Sequence, residues 1–289
     1  MVYSGGRNGS TPVAMADVHQ EGDHRGIPID WVGVSDISYP VVVLDRNQGK
    51  QHTVARISMA VNLPHDVKGT HMSRFIEILS GYDGQMSIHT LPVILRQLKE
   101  RLKADEAQIA VAFPFFMERV APESGAVALM DYQCSLMGEM NCDSDDLVLR
   151  VEVPVASLCP CSKKISDYGA HNQRGYVTMD VRGTRSKEGI PSNIWVEDLV
   201  EIAESSASAP VYPLLKRTDE RHVTMLAYDN PAFVEDIVRG VAQRLEKDKR
   251  VAWFQVRVVN HESIHSHNVF ASVQWTRPGP ARNKKSIPD

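Results

Sequence analysis

The sequence predicts an α+β fold built from two modules, each with the element order ββααββ. Three observations lead to this prediction: segments in which β-branched residues alternate with polar ones, segments with apolar residues at helical spacing, and a second half that repeats the order of the first. The modules are predicted at about residues 33–139 and 145–276. Because such antiparallel sheets have open edges, we expect them to continue into neighbouring subunits.

The first module begins with two strands joined by Arg46-Asn-Gln-Gly49, a sequence that favours a turn. Thr70 is a suitable N-cap for the first helix, and the second carries apolar residues at helical spacing from Ile88 to Leu102. The predicted elements are strands at about 38–45 and 52–62, helices at about 70–79 and 87–102, and strands at about 107–118 and 126–138.

The second module repeats this order. In its last helix Asn230 is a suitable cap, Pro231 occupies the first helical position, and an apolar stripe from Phe233 to Leu245 indicates one face packed against a sheet. The predicted elements are strands at about 146–157 and 174–183, helices at about 194–207 and 231–247, and strands at about 250–260 and 268–276.

Composition indicates an ordinary globular protein of 289 residues with a net charge of −4. The apolar runs are far shorter than the roughly 20 residues of a membrane span, and the N-terminus lacks a signal-peptide pattern, so we expect a cytoplasmic protein with no membrane partner. Mild acidity without a basic stripe argues against a nucleic-acid partner. Residues 1–26 and 277–289 lack periodicity and are expected to be disordered, which leaves one folded domain at 27–276.

The segment Ser157-Leu-Cys-Pro-Cys-Ser-Lys163 holds two of the four cysteines directly after a predicted strand. Pro160 fixes φ and removes a backbone donor, so we expect Cys159 and Cys161 on a stiff extended turn, with His171 ten positions after the second cysteine. The alternative, two small buried side chains, suits a Ser/Lys-rich segment poorly. The prediction is a metal ligand beside a free thiol, whereas Cys134 and Cys142 are predicted to have no function.

The other polar candidates lie at segment boundaries in the second half. In an extended chain, the alternation of His261-Glu-Ser-Ile-His-Ser-His267 places its histidines on one side, and at least one is predicted to be a ligand or an acid-base group. Lys216-Arg-Thr-Asp-Glu220 is predicted as a charged loop between helices, where Glu220 is also explained as a solvated charge. Glu235, in the first turn of a helix, is equally explained by the helix dipole.

At these residues the sequence resembles the type IB branch of GTP cyclohydrolase I. The resemblance runs from about Gly33 to Trp275. Its most specific blocks are Gly69-Thr-His-Met-Ser-Arg-Phe75, Phe113-Pro-Phe-Phe116, Ser157 to Lys163, Gly169-Ala-His-Asn-Gln-Arg174, Leu214-Leu-Lys-Arg217 and Glu262-Ser-Ile-His265. It implies a tunnelling fold of two ββααββ modules and a homotetramer with active sites at subunit interfaces. The implied reaction hydrolyses GTP to 7,8-dihydroneopterin triphosphate and formate, in folate-type pterin biosynthesis.

The resemblance also implies the ligands of a divalent metal. Cys159, His171, Glu220 and His265 match the family's ligand positions. One thiolate, two imidazoles and a carboxylate form a mixed set that accepts zinc, manganese or iron, and the sequence does not select among them.

The remaining roles implied by the resemblance concern catalysis and the substrate. They are Cys161 as the catalytic cysteine, Glu262 and His267 as further residues of the catalytic pocket, Glu235 as the carboxylate that binds the guanine edge, and Lys216 and Arg217 as the cations for the triphosphate.

Two other classes of function remain open on the residues. A tunnelling-fold nitrile reductase acting on 7-cyano-7-deazaguanine also uses a cysteine and a glutamate, but it needs a nicotinamide cofactor and no metal. A non-enzymatic module with a structural zinc would use four protein ligands with no free thiol beside them. The carboxylate in the ligand set and the spare Cys161 favour the GTP cyclohydrolase.

Overall fold

A computed structural model describes residues 22–278, except for residues 83 and 143. In this part of the chain ten strands form one sheet, and the helices at 72–80, 91–102, 196–204 and 234–247 pack with it in a single hydrophobic core. In chain order the elements are β1 (Ile29–Asp45), β2 (Gly49–Leu63), α1 (Met72–Ser80), β3 (Gln85–Met86), α2 (Leu91–Leu102), β4 (Ala107–Val120), β5 (Val127–Met140), β6 (Asp145–Leu158), α3 (Pro160–Ile165), β7 (Asn172–Gly183), α4 (Val196–Glu204), β8 (Ala209–Pro210), α5 (Arg217–Asp229), α6 (Val234–Lys247), β9 (Val251–His261) and β10 (Val269–Thr276).

The sheet is continuous across the two halves of the chain. Its strand order is β10-β9-β7-β6-β5-β4-β2-β1-β3, and β8 pairs with β6 beside this path. The halves join where β5 pairs with β6, from Gln133 opposite Glu152 to Met140 opposite Asp145. The sheet is mixed because β3 pairs with β1 in parallel, whereas the remaining pairs of described strands are antiparallel.

The predicted tunnelling fold, with two ββααββ modules whose antiparallel sheets are covered by helix pairs, is therefore wrong. The predicted strands and helices are present, but they build one mixed ten-stranded sheet, and β3, α3, β8 and α5 interrupt the predicted order. The physical reason is the β5–β6 ladder, which satisfies backbone groups that two separate sheets would leave on open edges. Two-residue strands and a six-residue helix are too short to show hydrophobic periodicity.

Helix α6 shows how the apolar stripe fixes the packing. Its buried side chains are Val234, Ile237, Val238, Val241 and Leu245. They pack against the core-facing residues of β9 and β10, and burial of each such side chain contributes roughly 1.5–3 kcal/mol. The helix starts at Val234 rather than at Pro231, and Asn230 ends α5 instead of capping α6.

The two ends of the described region are held by hydrogen bonds. Gly22 forms an isolated bridge to Val67, and the Arg277 guanidinium donates to the carbonyl oxygens of Val251 and Asp248, at 2.7 Å each. The disorder expected for residues 1–21 and 279–289 concerns positions outside the described residues. Among the residues that are described, no helix is long and apolar enough to cross a membrane.

Candidate active site

The two neighbouring cysteines lie at the start of α3, where β6 ends. Cys159 is the N-cap residue in extended conformation, with φ −67° and ψ 121°, and its Sγ accepts a hydrogen bond from the Ser162 amide at 3.4 Å. Pro160 takes the first helical position, where its fixed φ suits the helix and its missing N–H is not needed. The predicted extended turn is thus helical from Pro160 onwards. Cys159 is half-buried, whereas Cys161 is exposed to solvent.

Strands β6 and β7 bring Cys159 and His171 side by side. Leu158 pairs with Asn172 at the end of the ladder, and just beyond it the Cys159 amide donates to the His171 carbonyl at 3.1 Å. The His171 amide donates to Ser162 Oγ at 3.3 Å. The ladder and α3 therefore hold the thiol and the imidazole on neighbouring backbone.

The His171 ring is held through one of its two nitrogens. Its Nδ1 lies 2.9 Å from Gln173 Oε1 and 3.4 Å from Ser263 Oγ. The Gln173 amide nitrogen in turn donates to Glu262 Oε1 at 3.3 Å. Since these contacts occupy Nδ1, Nε2 is the nitrogen that remains to accept a ligand.

The segment after β9 is not an extended strand. Residues 263–267 form bends rather than continuing the strand. The rings of His265 and His267 stack instead, with centroids 5.4 Å apart and planes inclined by 20°, and both side chains are exposed. Ser263 and Glu262 connect this segment to His171 and Gln173.

Lys216, Arg217 and Glu220 lie at the start of a helix, not in the predicted loop. Helix α5 begins at Arg217, with Lys216 as its N-cap, and Glu220 is exposed in the first turn. The helix was missed because it has no apolar stripe: Ala227 is the one apolar residue that it buries.

Asp219, which sequence reasoning passed over, fixes this end of α5. Its buried carboxylate accepts hydrogen bonds at 2.6–2.8 Å from the amides of Glu123, Ser124 and Lys216 and from Ser124 Oγ. Burial alone raises the pKa of Asp219, but the hydrogen bonds outweigh it and hold the pKa well below the ordinary 3.8. The sequence does contain a signal for this helix start, because an acidic residue three positions after the N-cap is typical of a capping box.

Glu235 is exposed in the first turn of α6, and buried hydrogen bonds hold that helix start against the end of β6. The Ala232 amide donates to the Leu158 carbonyl at 3.1 Å. The fully buried Ser157 hydroxyl donates to the Ala232 carbonyl at 3.1 Å and accepts from Asn260 Nδ2 at 2.9 Å. These bonds place the start of α6 beside the residue that precedes Cys159.

Lys163 joins α3 to α5. Its Nζ donates to the Tyr228 carbonyl at 2.5 Å and lies 4.1 Å from the centroid of the Tyr228 ring. A cation is favourable at this position because the carbonyl oxygens at the C-terminus of a helix carry partial negative charge. The cysteine-bearing helix is thereby attached to the helix that carries Glu220.

The predicted metal ligands are only partly brought together. Among the described residues, no group of three or more His, Cys, Asp or Glu side chains could hold a metal ion. Cys159 and His171 are neighbours, and a thiolate and an imidazole nitrogen fit the donor preferences of zinc and iron, whereas manganese favours the carboxylate of the predicted set. Glu220 on α5 and His265 in residues 262–268 do not complete a group with them in one chain.

Comparison with known sequences relates the chain to one family of enzymes. A family model described as Type I GTP cyclohydrolase folE2 matches residues 15–271. The chain is 49% identical over 260 residues to the GTP cyclohydrolase FolE2 of Geotalea uraniireducens, which covers 90% of this chain and 93% of the relative. It is 50% identical over 260 residues to that of Geobacter metallireducens, covering 90% and 97%, and 49% identical over 274 residues to that of Syntrophotalea carbinolica, covering 95% and 98%.

Comparison with solved structures shows a likeness of fold. The urate oxidase of Bacillus sp. TB-90 superposes with a TM-score of 0.52 at 10% identity, covering 86% of this chain and 99% of that one. The uricase of Arthrobacter globiformis gives 0.50 at 9% identity, covering 88% and 96%. The likeness extends over most of the chain and shows a similarity of fold.

Proposed function

The chain belongs to the FolE2 family of type I GTP cyclohydrolases, and from this premise we propose that it hydrolyses GTP to 7,8-dihydroneopterin triphosphate and formate. The observation that carries the proposal is the family match over residues 15–271, a range that includes every residue of the candidate site. The protein is thus a hydrolase that opens the guanine ring, and its reaction is the first step of folate-type pterin biosynthesis.

We propose that Cys159, His171, Glu220 and His265 hold a divalent ion, which can be zinc, manganese or iron. The adjacency of Cys159 and His171 supports this assignment, as does the occupation of His171 Nδ1 by Gln173. When bound, such an ion lowers the pKa of a coordinated water and thereby makes hydroxide available near neutral pH.

We propose further that copies of the chain assemble into a homotetramer that completes the site at interfaces. Large apolar side chains are exposed in the segments that bear the site: Tyr168 is 94% exposed, Ile165 82% and Ile264 64%. Contact with another subunit would remove this apolar surface from water. Assembly would also explain why one chain does not gather all four ligands.

The remaining side chains bind GTP and move protons in this proposal. Glu235 accepts hydrogen bonds from the guanine N–H groups, and Lys216 and Arg217 bind the triphosphate at the start of α5, where the helix dipole also favours an anion. Cys161 and His267 are exposed side chains that can donate and accept protons, and Glu262 completes the pocket.

The proposed function is tested with purified protein, GTP and either Zn²⁺ or Mn²⁺. We expect formate and, after oxidation, a fluorescent pterin, with loss of both products in excess EDTA. No turnover is expected with 7-cyano-7-deazaguanine and NADPH, and turnover of that pair without turnover of GTP would contradict the proposal. Cys159→Ala and His171→Ala should lose their metal, so normal metal content in both would contradict the ligand assignment.

A further inference from the structure

Three polar side chains form a hydrogen-bonded chain that ends at the His171 ring. Glu262 lies just after β9, and its Oε1 is 3.3 Å from the amide nitrogen of Gln173 on β7. Gln173 Oε1 is 2.9 Å from His171 Nδ1. All three residues are half-buried, and the pairing of Arg174 with His261 keeps β7 and β9 in register beside them.

The donor and acceptor groups of Glu262 and Gln173 determine the direction of each hydrogen bond up to His171. The carboxylate oxygen of Glu262 accepts its hydrogen bond from the NH₂ group of Gln173. The amide oxygen of Gln173 then faces His171, and an oxygen can only accept. His171 Nδ1 must therefore carry the proton, which leaves the lone pair of the neutral imidazole on Nε2. Ser263 Oγ, at 3.4 Å, is compatible because a hydroxyl also accepts from Nδ1–H.

From this geometry we infer that Gln173 and Glu262 are positioning residues that fix the tautomer and the orientation of His171, so that Nε2 is presented to the divalent ion. The inference rests on the proposed function. It also changes the role of Glu262, which sequence reasoning placed among the catalytic residues: the carboxylate acts on the metal site through Gln173. Histidine ligands of metals commonly donate their other ring N–H to such a partner.

The test measures the affinity of the purified protein for Zn²⁺ alone, by competition with a colorimetric chelator. Gln173→Leu keeps a similar volume but removes both hydrogen bonds, so we expect the Kd for Zn²⁺ to rise about 10- to 100-fold. Excess Zn²⁺ should restore much of the GTP turnover of this variant, because its defect is metal retention.

A swapped pair provides the matched control. In Gln173→Glu/Glu262→Gln the carboxylate accepts from His171 Nδ1 and the new amide donates to that carboxylate, with the same net charge. The hydrogen bonds are restored, so the Kd for Zn²⁺ should lie within about threefold of wild type, well below the 10- to 100-fold rise expected when they are lost. An affinity as weak as that of Gln173→Leu would overturn the inference.

Thermal melts separate a metal effect from misfolding. If Gln173→Leu does not fold, Glu262→Leu serves instead: it removes the carboxylate that accepts from Gln173 and should also weaken Zn²⁺ binding. An unchanged Kd in a folded Gln173→Leu or Glu262→Leu variant would refute the positioning role. Failure of the proposed function is distinguishable, because it would appear in the wild type as no Zn²⁺ binding or no formate from GTP.

Discussion

Ser157→Ala removes the buried hydroxyl that joins the end of β6 to the start of α6. The hydroxyl is fully buried, accepts from Asn260 Nδ2 at 2.9 Å and donates to the Ala232 carbonyl at 3.1 Å. Alanine leaves both partners unsatisfied, at a cost of about 1–3 kcal/mol for each group that stays buried. Asn260 Oδ1 already lacks a hydrogen-bond partner among the described residues, so loss of the bond from Nδ2 to Ser157 leaves this buried amide poorly satisfied. We expect the free energy of unfolding to fall by about 2–6 kcal/mol.

Urea denaturation followed by circular dichroism measures this loss at fixed protein concentration. Ser206→Ala is the matched control, because its half-buried hydroxyl donates to the carbonyl of Ile202 one turn earlier, at 2.7 Å. The control should lose about 1 kcal/mol or less. Equal losses in the two variants, or a loss below about 1 kcal/mol for Ser157→Ala, would refute the view that Ser157 anchors α6 beside the cysteines.

Three further predictions concern the site itself. Cys161→Ala should keep its metal while losing GTP turnover, whereas Cys159→Ala should lose the metal; metal analysis would show the reverse pattern if the roles were swapped. Glu235→Gln should weaken a non-hydrolysable GTP analogue by about 2–4 kcal/mol in calorimetric titration, with an unchanged melting temperature, and equal affinities would remove Glu235 from the site. Because the pKa of Asp219 is lowered by folding, its contribution to stability is fully present above about pH 4 and is lost as the pH falls below that value. Asp219→Asn should therefore flatten the acid side of the stability profile measured in urea, and an unaltered profile would contradict the assignment.

Elements with strong periodicity were predictable from the sequence. The stripe containing Ile237, Val241 and Leu245 predicted α6 apart from its first turn, because those residues recur at helical spacing and pack on the sheet. Helix α5 was not predictable in this way, since its start is held by Asp219 through bonds to a turn about a hundred residues earlier. The joining of the two halves was missed because direct pairing of β5 with β6 is a property of register across the sheet.

The candidate site was only partly predictable for the same reason. The Cys-Pro-Cys motif pointed to Cys159, and the ladder between β6 and β7 supplies its proximity to His171. The contact between Gln173 and Glu262 depends on the register of β7 against β9, which no local pattern encodes. Sequence reasoning therefore named Glu262 but not the residue through which it acts.

The most direct test of the central claim follows the carbon that leaves the guanine ring. Purified protein is incubated with Zn²⁺ or Mn²⁺ and GTP labelled with ¹³C at C8, and the products are followed by NMR. The account predicts that the label appears in formate in step with loss of GTP, and that no formate forms in excess EDTA. Label that stays in the nucleotide, or turnover that releases only phosphate, would contradict it.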